Sequence, residues 1–151
     1  MPSTSAHLGS QIAPLRRALL RRTRAHANLP DLPDAQVEVL RVLVQGGPAT
    51  PGALASQLQV ARSTVSNLLR AMIAAGLVER GTGEDLRTAR VTATPRAADL
   101  LARYDTASER VLDEALSELT AADRRAIERA APALARLTAA IDRRDNPSAG
   151  L

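Results

Sequence analysis

The chain has 151 residues and a formal net charge of +4, with no Cys, Trp, Phe or Lys and a single aromatic residue, Tyr104. Without Cys there are no disulfides, thiolate metal sites, iron–sulfur clusters or redox-sensing thiols. No apolar run approaches the ~18 residues that would cross a membrane, and the N-terminus has no apolar signal core, so a cytoplasmic protein is expected.

The length fits one domain, residues 1–151. The apolar content is 45%, mostly 30 Ala and 22 Leu, a mixture that favours helix over strand. All 20 basic residues are Arg. A coding bias toward Ala and Arg accounts for much of this, so the distribution is more informative than the total. Residues 1–29 carry five Arg and no acid, residues 61–97 six Arg and three acids, and residues 98–120 two Arg and six acids. Positive charge is therefore grouped in two segments.

In chain order, a first helix is predicted over about 7–27. Leu8, Ile12, Leu15 and Leu19 form a heptad-like seam, and Pro14 should kink the helix or mark its start. A second helix covers about 34–45, with Val37, Leu40 and Val44 on one face, broadened by Val39, Val42 and Leu43. Gly46-Gly47-Pro48 stops it. Thr50-Pro51 is a hydroxyl N-cap followed by Pro at the first helical position. It opens a short helix over 51–58 with Leu54 and Leu58 inward. The next helix runs from about Arg62 to Ala74 on the stripe Val65, Leu68, Leu69, Met72 and Ile73. Gly76 supplies a left-handed C-terminal position.

The period then changes. Residues 77–80 and 87–92 are strand-like around the Gly-rich run 81–86, which predicts a hairpin. Thr94-Pro95 repeats the cap signal and starts a long helix to about Leu119, with a seam of Leu101, Tyr104, Ser108, Val111 and Ala115. Thr120 caps a last helix to about Arg144, with Asp123 at the capping-box position. Its seam is Ile127, Ala130, Leu134, Leu137 and Ile141, and Pro132 should bend it. The fold class is mainly α with a small β-hairpin wing: a winged helix-turn-helix at 34–94, flanked by helices at 7–29 and 95–144.

The chemistry lies on the helix at 62–74. At about 100° per residue, the side away from its apolar stripe carries Ser63, Asn67 and Arg70, flanked by Thr64 and Ser66, with Arg62 at the entrance. Hydroxyls and helix N-terminal amides suit phosphate oxygens. Asn can bond two edges of adenine, and Arg two acceptors of guanine. No acid occurs from 39 to 78, so nothing there repels a phosphate backbone. An ordinary solvated helix face would show similar residue types, but not an acid-free run followed by an Arg-bearing hairpin.

The stretches Leu32-Pro33-Asp34-Ala35-Gln36-Val37-Glu38-Val39-Leu40, Leu54-Ala55-Ser56-Gln57-Leu58 and Val60-Ala61-Arg62-Ser63-Thr64-Val65-Ser66-Asn67-Leu68-Leu69 resemble the MarR family of transcriptional regulators. So do Ala75-Gly76-Leu77-Val78-Glu79-Arg80, Asp85-Leu86-Arg87-Thr88 and Ala93-Thr94-Pro95. The resemblance spans roughly residues 8–142. It implies a homodimeric repressor in which the first and last helices interlock about a two-fold axis. The two recognition helices would enter successive major grooves of a near-palindromic operator in double-stranded DNA.

Carried over by position, Arg62, Ser63, Thr64, Ser66, Asn67 and Arg70 become groove and phosphate contacts. Arg87 becomes the minor-groove Arg of the wing, and Asp85 shapes the wing turn. Ile12, Leu15 and Leu19, with Leu134, Leu137 and Ile141, become dimer contacts. The chain departs from the family pattern in a wing loop about one residue shorter, and in Gly81, Asn67 and Ala97.

The resemblance also implies release of DNA by a small-molecule effector. Tyr104 alone gives few aromatic walls for a flat ligand. His7 and His26, both in the first-helix region, read as solvated residues, so no metal and no cofactor are expected. Neither His has an acid or nucleophile partner in the sequence pattern, and Gly81-Thr82-Gly83 lacks the Lys of a phosphate-binding loop, so no enzyme is expected. The alternative function is a winged-helix protein-interaction or antirepressor module that dimerises without reading DNA.

Overall fold

The computed structural model describes residues 3–81 and 89–145. Its elements are α1 (Thr4–Ala27), α2 (Asp34–Gly46), α3 (Pro51–Leu58), α4 (Arg62–Ala74), β1 (Val78–Arg80), β2 (Val91–Ala93), α5 (Pro95–Ser117) and α6 (Ala121–Asp145). They form two units, residues 1–111 and 112–151, with α5 running from the first into the second.

In the first unit, both Thr-Pro signals start helices as the sequence predicts. The Thr50 hydroxyl accepts the Ala53 amide at 3.1 Å, and the Thr94 hydroxyl accepts the Ala97 amide at 3.2 Å. Thr94 also donates to the Gly76 carbonyl at 2.9 Å, so one hydroxyl fastens the end of the α4 turn to the start of α5. Gly76 takes φ +70°, the left-handed region where a Cβ is strained, and sends the chain from α4 into β1. β1 pairs antiparallel with β2, with Val78 opposite Ala93 and Arg80 opposite Val91. Ala49 bridges Val91, so the segment between α2 and α3 backs the hairpin.

The core gathers Val39, Leu40, Leu43, Leu54, Val65, Leu69, Met72, Leu77, Val78, Val91, Ala97, Leu100 and Tyr104. Aliphatic side chains from α2, α3, α4, the hairpin and α5 thus fix the pose of α4, whose inward face is Val65, Leu69 and Met72.

Some sequence expectations shift. α1 begins at Thr4, capped by Ser3, and runs through Pro14, which neither starts nor ends it. Val44 is exposed where the periodicity of α2 placed it inward. The second strand is Val91–Ala93, later than 87–92, because its position is set by pairing with β1 and Ala49. On α5 the buried side is Ala97, Leu100, Leu101, Tyr104, Ala107 and Val111; Ser108 is half-buried and Ala115 exposed.

The second unit opens with a tight corner. The Asp123 amide donates to the Thr120 hydroxyl, and that hydroxyl donates to the Asp123 carboxylate at 2.6 Å. The Arg124 guanidinium donates to the Leu119 carbonyl at 3.2 Å and to the Leu116 and Ser117 carbonyls. A cation on the last carbonyls of α5 meets the negative end of the helix dipole. α6 runs through Pro132, and no side chain described on it is buried.

Candidate nucleic-acid interface

α3 and α4 are joined by a turn of three residues. Gln59 takes the left-handed conformation, φ 53°, and the Val60 amide donates to the Ala55 carbonyl at 3.1 Å. This sharp reversal, with Leu54 of α3 and Val65 and Leu69 of α4 fully buried, makes the pair a helix-turn-helix. α4 has Ala61 at its N-cap and no side-chain cap. Its first-turn amides are therefore not occupied by a capping side chain.

Arg62, Ser63, Thr64, Ser66, Asn67 and Arg70 are all exposed. Ser63, Asn67 and Arg70 lie opposite the buried stripe, Thr64 and Ser66 flank them, and Arg62 stands at the N-terminal entrance of the helix. Arg70 donates to the Asn67 side-chain oxygen at 3.1 Å, so these two side chains stand as a pair one turn apart. Asp85 and Arg87 lie outside the described residues. The hairpin adds Arg80, exposed at the end of β1, and Arg90, which donates to the Pro48 carbonyl at 3.4 Å. Sequence reading passed over Arg80, because its place follows from the pairing of β1 with β2, with Arg80 opposite Val91.

A second feature lies in the first unit. A cavity of about 230 Å³ is lined by residues of α1, α2 and α5, among them Arg16, Leu19, Leu20, Val37, Glu38, Arg41, Tyr104, Asp105 and Ser108. Arg41 forks onto both Asp105 oxygens at 3.2 and 2.9 Å, and Arg16 meets Asp34 at 3.0 Å. The hydrogen bond to Asp105 holds the Arg41 proton more tightly than usual, against a desolvation cost. Burial pushes the Tyr104 hydroxyl up from its ordinary range, with Arg24 opposing, so the phenol stays neutral at physiological pH. That hydroxyl is buried without a hydrogen bond in the described residues.

The predicted dimer residues are placed on exposed apolar seams. On α1, Ile12 is 57% and Leu15 64% exposed, while Leu19 is half-buried. On α6, Leu134 is 47%, Leu137 40% and Ile141 55% exposed.

The sequence profile of the MarR family matches residues 31–88, a range that includes α2, α3, α4 and β1. Residues 31–88 are thus similar to the MarR family. Solved structures repeat the architecture around them. A MarR family protein from Bacillus stearothermophilus is 24% identical over 90% of this chain and 96% of that one, with a TM-score of 0.71. A MarR family transcription regulator is 25% identical over 91% of each chain, at 0.65. MepR, a transcription regulator of the Staphylococcus aureus multidrug efflux pump MepA, is 18% identical over 93% of this chain and 99% of that one, at 0.70. No curated protein matches the chain in sequence. Among the described residues no helix is long and apolar enough to cross a membrane, and no cluster of His and carboxylates could hold a metal ion.

Proposed function

We propose that this protein is a MarR-family, homodimeric, sequence-specific DNA-binding repressor that a small molecule releases from a near-palindromic operator. The observation that carries the reading is the exposed surface of α4: Ser63, Asn67 and Arg70 opposite the buried stripe, with Thr64 and Ser66 beside them and Arg62 at the entrance, on an acid-free segment. Such a helix suits the major groove, where Asn67 and Arg70 face base edges and Arg62, Ser63, Thr64 and Ser66 reach phosphates or bases. Arg87 is assigned to the minor groove and Asp85 to the wing turn, on the family pattern alone.

Dimerisation is supported by energetics. The Leu134, Leu137 and Ile141 seam of α6 is about half exposed in one copy. Burying an exposed Leu or Ile contributes roughly 1.5–3 kcal/mol, and two copies bring two such seams. A two-fold pair of α4 helices then demands a near-palindrome. A dimer seated on successive grooves excludes polymerase from the same DNA, which gives repression. The cavity beside Tyr104 supports effector release: a ligand entering there would have to compete with the Arg16–Asp34 and Arg41–Asp105 pairs that tie α2 to α1 and α5.

The rival reading, a protein-interaction or antirepressor module, needs large apolar anchors on the presented face. The outward side of α4 carries none. Selection from a random duplex pool tests the choice: enrichment of a near-palindrome is expected, and no enrichment would favour the interaction module.

A further inference from the structure

The hairpin and the helix-turn-helix enclose a cleft of about 350 Å³ that no base-reading role accounts for. Arg62 enters it from the first turn of α4 and Arg80 from the end of β1, with Thr50 and Gly52 of the α3 start and Ser66 completing the wall. The Arg62 guanidinium lies across the α3 backbone at Gly52, where an added Cβ would stand 3.4 Å from its Nη2. Thr50 already caps α3, so the positive potential of the cleft comes from the two guanidiniums.

Among the described residues no carboxylate lines the cleft or pairs with Arg62 or Arg80. Glu79 alternates to the other side of β1 from Arg80. Two like charges share one cleft without a counter-ion from these residues, an arrangement that an anion relieves. Guanidinium forks match phosphate oxygens, and the Ser66 hydroxyl adds a neutral donor.

We propose that this cleft is a phosphate clamp: Arg80 and Arg62 hold one backbone phosphodiester of the DNA, fixing the angle at which α4 enters the groove. The inference rests on the DNA-binding function proposed above. It assigns Arg62 to backbone positioning and makes Arg80 a DNA contact. Because the contact is to phosphate, it is blind to sequence.

The test is fluorescence anisotropy of the full chain with random-sequence duplex DNA across salt concentrations, for wild type, Arg80→Ala and Arg80→Lys, with circular dichroism to check folding. Arg80→Ala should weaken binding by about tenfold or more at low salt. It should flatten the log–log salt slope by about 0.9 for each clamp engaged, and Arg80→Lys should restore most of the slope. On the tightest selected duplex, a scan of single neutral methylphosphonates should find one phosphate in each half-site whose neutralisation costs wild type affinity but costs Arg80→Ala nothing more. If wild type binds DNA and Arg80→Ala keeps its slope, the clamp is refuted while the function stands. If wild type binds no duplex, the function itself fails. Calorimetry with inorganic phosphate separates the remaining source. Binding of free phosphate that Arg80→Ala loses, with an unchanged DNA slope, would make the cleft a free-anion site and overturn the clamp.

Discussion

Tyr104, the one aromatic residue, falls on the packing seam that the periodicity of α5 predicts, and it packs in the core of the first unit with its hydroxyl buried and lacking a hydrogen bond in the described residues. An unsatisfied buried hydroxyl costs ~1–3 kcal/mol. Tyr104→Phe should therefore leave stability unchanged or raise it by up to about 1 kcal/mol in urea titrations. Burial favours the neutral phenol, so the folded protein holds this proton more tightly than the unfolded chain. Stability from this group is intact below the ordinary tyrosine range and falls as pH rises through it. The Phe variant should lack that alkaline loss. Arg41 and Asp105 make the opposite case. They are 64 positions apart in sequence and join by two hydrogen bonds that no spacing rule announces. Both side chains are more than a third exposed, so Arg41→Ala should cost no more than about 1 kcal/mol.

Elements were legible where their ends are marked by local chemistry. α3 and α4 begin and end where Thr50-Pro51, Arg62 and Gly76 place them, because caps, fixed proline φ and left-handed glycine act within a few residues. Thr50→Ala should destabilise by about 1 kcal/mol through the lost α3 cap. Gly76→Ala should cost about 1 kcal/mol or more at φ +70°. Thermal melts read both. The second strand was less legible, because its bounds come from register with β1 and the Ala49 bridge and not from its own alternation. The α4 surface was legible as a list of residue types, since an apolar stripe fixes the opposite side. The Asn67–Arg70 hydrogen bond and the cleft holding Arg62 and Arg80 were not, since both depend on side-chain direction and on chain pairing.

At the scale of the whole molecule, the feature that bears on assembly is the apolar seam that one copy leaves exposed on α6. α6 is 25 residues long with no described side chain buried. Most helical stability in proteins comes from packing an apolar face, so such a helix calls for a partner surface. Leu137→Asp should reduce the sedimenting mass from twice 16.0 kDa to 16.0 kDa. It should also replace tight binding to a near-palindrome with weak, half-site binding. A variant that stays dimeric would place the interface elsewhere.

The claim on which the rest depends is that the outward side of α4 reads bases. It is tested most directly by measuring wild-type and Asn67→Ala affinities, at fixed salt, for the selected duplex and every single-base-pair variant of it. The account predicts that Asn67→Ala loses its preference at one or two neighbouring positions of each half-site, worth about 1–3 kcal/mol, while affinity for non-specific duplex is kept. An equal loss at every sequence, or an unchanged preference at every position, would contradict it.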